Sequence, residues 1–104
     1  MSTSRSSGLL SAGTVTLSTR VDYLNGVSVV SDSTNTATVT IYDSGDGVTN
    51  MDNAHVLAKV TATVNTGSNS LALTCPIRAE YGLTVVVSGT GTPTATVFYG
   101  GTLN

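Results

Sequence analysis

Charge is scarce in this sequence. Only 10% of its 104 residues are charged, four of them basic and six acidic, whereas a typical soluble domain carries about 25%. The basic residues lie far apart along the chain, so no basic patch can replace the counterions of phosphate groups, which argues against nucleic-acid binding. A protein with so few charged residues and a low net charge tends to associate with other proteins. The composition therefore indicates a subunit of a larger assembly. A threonine-rich β domain that acts alone fits the composition equally well.

Cysteine is almost absent, and long apolar runs are missing. Cys75 is the single cysteine, which excludes an internal disulfide and a zinc site built from cysteines. The sequence has no Asn-x-Ser/Thr acceptor and no apolar leader segment. No run approaches the roughly 18 apolar residues of a membrane span. We therefore expect synthesis in a cytoplasm, without a secretory route and without a membrane partner.

Residues suited to catalysis are also few. His55 is the only histidine and tryptophan is absent. No serine stands in the nucleophile-elbow motif of a serine hydrolase. Glycosidase chemistry needs two carboxylates that face each other across a cleft, and the aromatic residues usual at such clefts are scarce here. We therefore predict that the protein is not an enzyme and that it needs no cofactor.

Three aspartates leave one metal hypothesis open. Asp43, Asp46 and Asp52, together with Asn50 and Asn53, could offer oxygen ligands to calcium. Their spacing differs from that of the EF-hand loop, and aspartate is also a favoured turn residue. We expect no metal site, with calcium binding as the alternative.

The sequence is rich in valine alternating with hydroxyl residues, and it contains thirteen serines and nineteen threonines. Residues 37, 39 and 41 share one face of a predicted strand. Along residues 55–64 the apolar even-numbered positions share one face, and Leu57 lies on the other. Such period-2 patterns, broken by turns, predict seven or eight short strands in an all-β antiparallel sandwich or jelly roll.

The chain is expected to divide into an arm and one domain. Residues 1–13 are rich in serine and glycine, which predicts a flexible N-terminal arm. Leu9 and Leu10 would be the apolar contact of this arm with a partner. Residues 14–104 predict a single β-sandwich domain.

Four local predictions follow from single residues. Asn25-Gly26, between two β-prone runs, predicts a type I′ hairpin turn. Cys75 alternates with Leu71 and Leu73, which predicts a buried thiol on an inner face. Phe98 and Leu57 point away from the predicted core. We therefore predict that both, like Leu9 and Leu10 of the arm, contact another subunit.

The order of residues also resembles a known class of proteins. Residues 38–43 (Thr-Val-Thr-Ile-Tyr-Asp) precede a Gly/Asp/Asn loop, and the stretches 77–89 and 96–100 carry the patterns Gly-Leu-x-Val and Thr-Val-x-Tyr. This looks like small all-β structural proteins of tailed bacteriophage virions, over residues 14–100. The resemblance implies that the last two strands pair with each other.

In function, the resemblance implies a capsid decoration or cement subunit, often a homotrimer, that binds the major capsid protein on the virion surface. Two alternatives stay open. One is a tail or head-fibre accessory. The other is a carbohydrate-binding host-adhesion module that would use the 43–53 loop with Tyr42 or Tyr81.

Overall fold

The computed structural model describes residues 4–32, 34–64 and 67–100, which form two antiparallel sheets. Because β-branched residues with alternating polarity suit a pleated, half-buried surface, nearly all of the regular structure is strand. Besides the strands, the described residues contain one short 3₁₀ turn, Asn53–His55. The nine strands in the described residues are β1 (Arg5–Ser6), β2 (Leu10–Ser11), β3 (Gly13–Ser18), β4 (Asp22–Val30), β5 (Ala37–Tyr42), β6 (Val56–Ala62), β7 (Ser68–Ala79), β8 (Leu83–Gly89) and β9 (Thr94–Tyr99).

Along the chain, successive strands alternate almost throughout between the two sheets. The first sheet has the order β1-β9-β4-β7, with β2 also paired to β9, and the second has the order β3-β8-β5-β6. Every pairing is antiparallel. The predicted all-β antiparallel sandwich is thus confirmed. The pairing of the last two strands that the resemblance implied is wrong, because β8 lies in the second sheet and β9 in the first. The β8–β9 connection crosses between the sheets instead of forming a hairpin.

The core lies between the sheets and consists of the inward positions of each strand. Ala37, Val39 and Ile41 are all buried, as their alternation predicted. Of the run predicted at 55–64, positions 58, 60 and 62 are buried, while the strand ends before Val64, which is exposed. Burying one valine or leucine side chain contributes about 1.5–3 kcal/mol. The alternation therefore decides which face of each strand turns inward.

The predicted hairpin at Asn25-Gly26 is wrong, because both residues lie inside the continuous strand β4. Leu24 is opposite Tyr99 and Gly26 is opposite Phe98, so Asn25 is the extra residue of a β-bulge. The bulge shifts the alternation by one position. Leu24 and Val27, which are three apart, are thereby both buried. Pairing with long strands on both sides of β4 overrides the local turn preference.

The described part of the predicted arm lies along the edge of the first sheet. β1 and β2 both pair with β9. Between them, the Ser7 amide donates to the Val97 carbonyl (2.8 Å) and the Val97 amide donates to the Ser7 hydroxyl (2.9 Å). Arg5 lies over the Tyr99 ring, 4.9 Å from its centroid. Release of this segment toward a partner stays a prediction.

Candidate binding surfaces

Charged side chains are concentrated at one end of the sandwich, which we call the charged end. There β4 begins, β5, β7 and β9 end, and the long β5–β6 loop lies. The opposite end, formed by the β4–β5, β6–β7 and β8–β9 connections, carries only Asp32 among the described residues, and Lys59 lies within β6. Eight of the ten charged residues belong to the charged end: Arg5, Arg20, Asp22, Asp43, Asp46, Asp52, Arg78 and Glu80.

The outer face of the first sheet contrasts with this end because a broad part of it carries no charge. We call this part the hydroxyl face. It consists of the residues of β4, β7 and β9 that point outward and that lie opposite one another in the strand registers. It presents mainly hydroxyl groups, interrupted by two exposed apolar side chains, Val30 and Phe98, which are 46% and 41% exposed. Its members are Gly26, Ser28, Val30, Ser68, Ser70, Ala72, Thr94, Thr96 and Phe98.

Phe98 is supported from within the chain. A Cβ added to Gly26 would lie 3.8 Å from Cδ2 of the Phe98 ring and 3.8 Å from the Ala72 Cα. The ring therefore lies across the glycine and covers its backbone, as aromatic residues commonly do for sheet glycines. The rest of the ring remains open to a partner.

The other three residues predicted to contact a partner differ in their burial. Leu9 lies in the β1–β2 connection and is exposed, whereas Leu10 and Leu57 are half-buried and pack against the core. Leu57 occupies a bulge, because Ile41 is opposite Ala58 and Tyr42 is opposite Val56. Contact of these residues with another subunit stays a prediction.

The predicted burial of Cys75 is wrong, since the thiol is exposed. Leu24 pairs with Ile77 and Gly26 pairs with Ala72, so residues 73–76 bulge out of β7 opposite the single residue Asn25. The alternation that related Cys75 to Leu71 is broken there, because β7 has no second neighbour in the sheet to hold its register.

At the charged end, the 43–52 loop is held by its own aspartates. The buried Asp43 carboxylate accepts the backbone N–H groups of Glu80 (3.0 Å) and Tyr81 (2.7 Å), which ties the loop to the β7–β8 turn. The Ser44 carbonyl accepts the hydroxyl of the fully buried Thr84 (2.9 Å). A Cβ added to Gly47 would lie 3.3 Å from the Thr16 hydroxyl oxygen. The loop therefore packs against residues of β3 and β8.

Asp46 organises the tip of the same loop. Its Oδ1 accepts the backbone N–H groups of Val48 (2.8 Å) and Thr49 (2.7 Å), and its Oδ2 accepts the Thr49 hydroxyl (2.8 Å). The two backbone bonds, with that hydroxyl, lower the pKa of Asp46 from 3.8 to about 2. The carboxylate is therefore ionised at any ordinary pH.

The three aspartates of the calcium alternative have separate partners. The Asp52 carboxylate lies 2.7 Å from His55 Nδ1, a hydrogen bond that lowers the pKa of Asp52. In residues 4–32, 34–64 and 67–100, no group of three or more His, Cys, Asp or Glu side chains is placed to hold a metal ion. No serine hydroxyl in these ranges hydrogen bonds to His55.

An open pocket of about 420 Å³ lies between three segments of the charged end. Tyr81, from the β7–β8 turn, forms one wall and is 58% exposed. This arrangement brings Tyr81 together with the loop that the sequence indicated for sugar binding, whereas Tyr42 is not among the lining residues. Thr19 was missed, because nothing in its local sequence distinguishes it. The lining residues are Thr19, Gly45, Asp46, Thr49, Asn50 and Tyr81.

Comparison with solved structures gives distant likenesses. No family model and no curated protein matches the chain. Among solved structures, Bacillus endospore appendages, described as disulfide-linked pili, align with a TM-score of 0.46 and 14% identity over 99% of this chain and 92% of theirs. Proteins of infectious bursal disease virus, strains Gx and Gt, align with TM-scores of 0.34 and 0.23 at 13% and 14% identity.

The viral alignments cover 95% and 97% of this chain but only 28% and 31% of the viral chains, so this chain spans less than a third of their length. At these identities and TM-scores the likenesses carry no assignment of function. Within the described residues, no helix has the length and apolar character that a bilayer crossing requires.

Proposed function

We propose that the protein is a structural subunit of a phage virion, which decorates the capsid by binding the major capsid protein and by associating with copies of itself, most simply as a trimer. The observation that supports this best is the hydroxyl face, a charge-free sheet surface that extends from Val30 to the exposed Phe98 ring. The composition and the resemblance to virion proteins agree with it.

The chemistry of the hydroxyl face suits a protein partner. Covering a charged surface would require removal of water from each ion, at a cost of several kcal/mol for an ion left without good pairing. Hydroxyl groups lose less on burial and can pair with partner backbone. A single aromatic ring among them is the type of residue that carries a large share of interface energy.

Association of this kind explains how a small domain would stabilise a shell. A subunit that binds the assembled capsid, and not its dissociated parts, shifts the equilibrium toward the intact particle. Three copies around a three-fold axis would present three such faces to neighbouring capsomers. The domain then acts by binding alone, in line with the expectation that it is not an enzyme.

A charge placed on the hydroxyl face tests the proposal. Val30→Lys adds an ammonium group at an exposed position of that face, and Val48→Lys adds the same group at an 80% exposed position of the 43–52 loop. We expect Val30→Lys to weaken self-association and co-sedimentation with capsid shells by at least about tenfold. Val48→Lys should behave as wild type.

The measurements are light scattering after size exclusion and sedimentation with shells that lack the native subunit. A wild-type chain that stays monomeric at high concentration and does not sediment with shells would overturn the proposal. Equal weakening by the two lysine variants would move the binding surface away from the hydroxyl face.

A further inference from the structure

The pocket beside Tyr81 combines an exposed aromatic ring with unpaired polar groups, and from this combination we propose that it binds one neutral pyranose ring of a glycan. Its volume of about 420 Å³ lies within the range of about 300–1,000 Å³ that is usual for small-molecule sites. The inference is independent of the assembly surface, because no lining residue belongs to the hydroxyl face.

The backbone that carries the exposed Tyr81 ring is held in place. Its backbone N–H donates to the buried Asp43 carboxylate at 2.7 Å. The next residue, Gly82, is buried at φ 145° against the backbone of Ser18 and Gly45. The ring therefore projects from a fixed turn. A tyrosine side chain has only two torsion angles to order, so it loses little entropy when the apolar C–H face of a sugar ring stacks on it.

The polar groups around the ring have hydrogen-bonding capacity to spare. Asn50 is half-buried at φ 65°, and neither its side-chain amide nor the Thr19 hydroxyl hydrogen bonds to another described residue. Asp46 Oδ2 accepts a single bond, from Thr49 Oγ1. Two donors of the amide, one hydroxyl and a carboxylate lone pair can thus meet the hydroxyl groups of one sugar ring.

The charge of the pocket selects among ligands that share this geometry. Asp46 is the charged lining residue, and its carboxylate repels phosphate, sulfate and carboxylate groups. A carboxylate also accepts strong hydrogen bonds from neutral hydroxyl donors. A neutral polyhydroxyl ring satisfies both conditions, whereas an acidic sugar satisfies only the second.

Backbone-amide NMR titration tests the inference with the methyl glycosides of glucose, galactose, mannose and N-acetylglucosamine. We expect at least one of them to shift the amides of Gly45, Thr49, Asn50 and Gly82, with a Kd of about 1–10 mM for one ring on an open site. Tyr81→Phe should retain binding, because the stacking surface remains. Tyr81→Ala should weaken it at least about tenfold.

Two further variants separate recognition from folding. Asn50→Gly removes the amide at a position whose positive φ glycine accepts without strain, and it should weaken binding several-fold. Val48→Ala changes an exposed residue of the same loop outside the pocket and should leave the Kd unchanged. The inference is overturned if none of the four glycosides shifts the lining amides at about 50 mM, or if sialic acid or inorganic phosphate binds there while the neutral rings do not.

Discussion

At each end of the sandwich, an aspartate joins two turns that are far apart in the chain. At the charged end, Asp43 follows β5 and accepts backbone N–H groups from Glu80 and Tyr81 of the β7–β8 turn. At the opposite end, Asp32 follows β4 and accepts the N–H of Thr34 in its own loop (2.9 Å) and the N–H of Thr92 in the β8–β9 turn (3.1 Å). Both carboxylates accept hydrogen bonds from backbone N–H groups that have no partner in the sheets.

The two connections differ in how deeply they are packed. Asp43 is buried, and Gly45 and Gly82 bring three backbone segments into contact beside it. Asp32 is more open to water, and the glycine facing it, Gly91, meets the end of its side chain instead of backbone. The candidate ligand site lies at the charged end, where these three backbone segments meet and line the pocket.

The largest expected effect on stability is that of a methyl group added at the closely packed glycine of the charged end. A Cβ at Gly82 would overlap the Ser18 carbonyl oxygen, and φ there is 145°. We expect Gly82→Ala to lower the free energy of unfolding by about 3 kcal/mol, from backbone strain and overpacking together. At the opposite end, Gly91→Ala should cost about 1–2 kcal/mol, because the Asp32 side chain can move toward solvent. Urea denaturation measures both.

Gly13→Ala is the matched control for this prediction. Gly13 has nearly the same φ as Gly82, 139°, but a Cβ there meets nothing within 4 Å. Its substitution should cost about 1 kcal/mol, the strain of the backbone angle alone. If Gly82→Ala were no worse than Gly13→Ala, the tight packing of the charged end would be contradicted.

Much of this architecture could be predicted from the residues, but the bulges in the strands and the packing at the charged end could not. Alternation predicted the inner faces of β5 and β6 because burial is set by period 2. It failed at Asn25-Gly26 and at Cys75, where bulges depend on neighbouring strands that are distant in sequence. For the site, turn residues marked a loop at 43–53, and Tyr81 was named as a possible platform. The need for glycine at positions 45 and 82 could not be predicted, because it depends on backbone segments distant in sequence that pack against them.

The second prediction compares the two aspartates directly. Asp43→Ala leaves the part-buried N–H groups of Glu80 and Tyr81 without their acceptor, so we expect a loss of about 2–3 kcal/mol. Asp32→Ala should cost distinctly less, because water can reach the Thr34 and Thr92 donors. Urea denaturation at neutral pH gives both values. Equal losses would show that burial does not separate the two ends.

The smallest expected effect is on stability at acid pH. It tests whether the exposed carboxylates of Asp32 and Asp46, one at each end, contribute to stability. Backbone N–H donors, chiefly Thr34 for Asp32 and Val48 for Asp46, lower the pKa of each aspartate from 3.8 to about 2. A lowered pKa in the folded state means that both groups stabilise the fold above pH 3.8, and this stabilisation is lost as the pH falls toward 2. Asp32→Asn and Asp46→Asn should each reduce the fall in the urea midpoint between pH 4 and pH 2. Because the residues lie at opposite ends, the reductions should add in the double variant. A wild-type acid profile in either variant would show that the hydrogen bonds of that aspartate do not persist in solution.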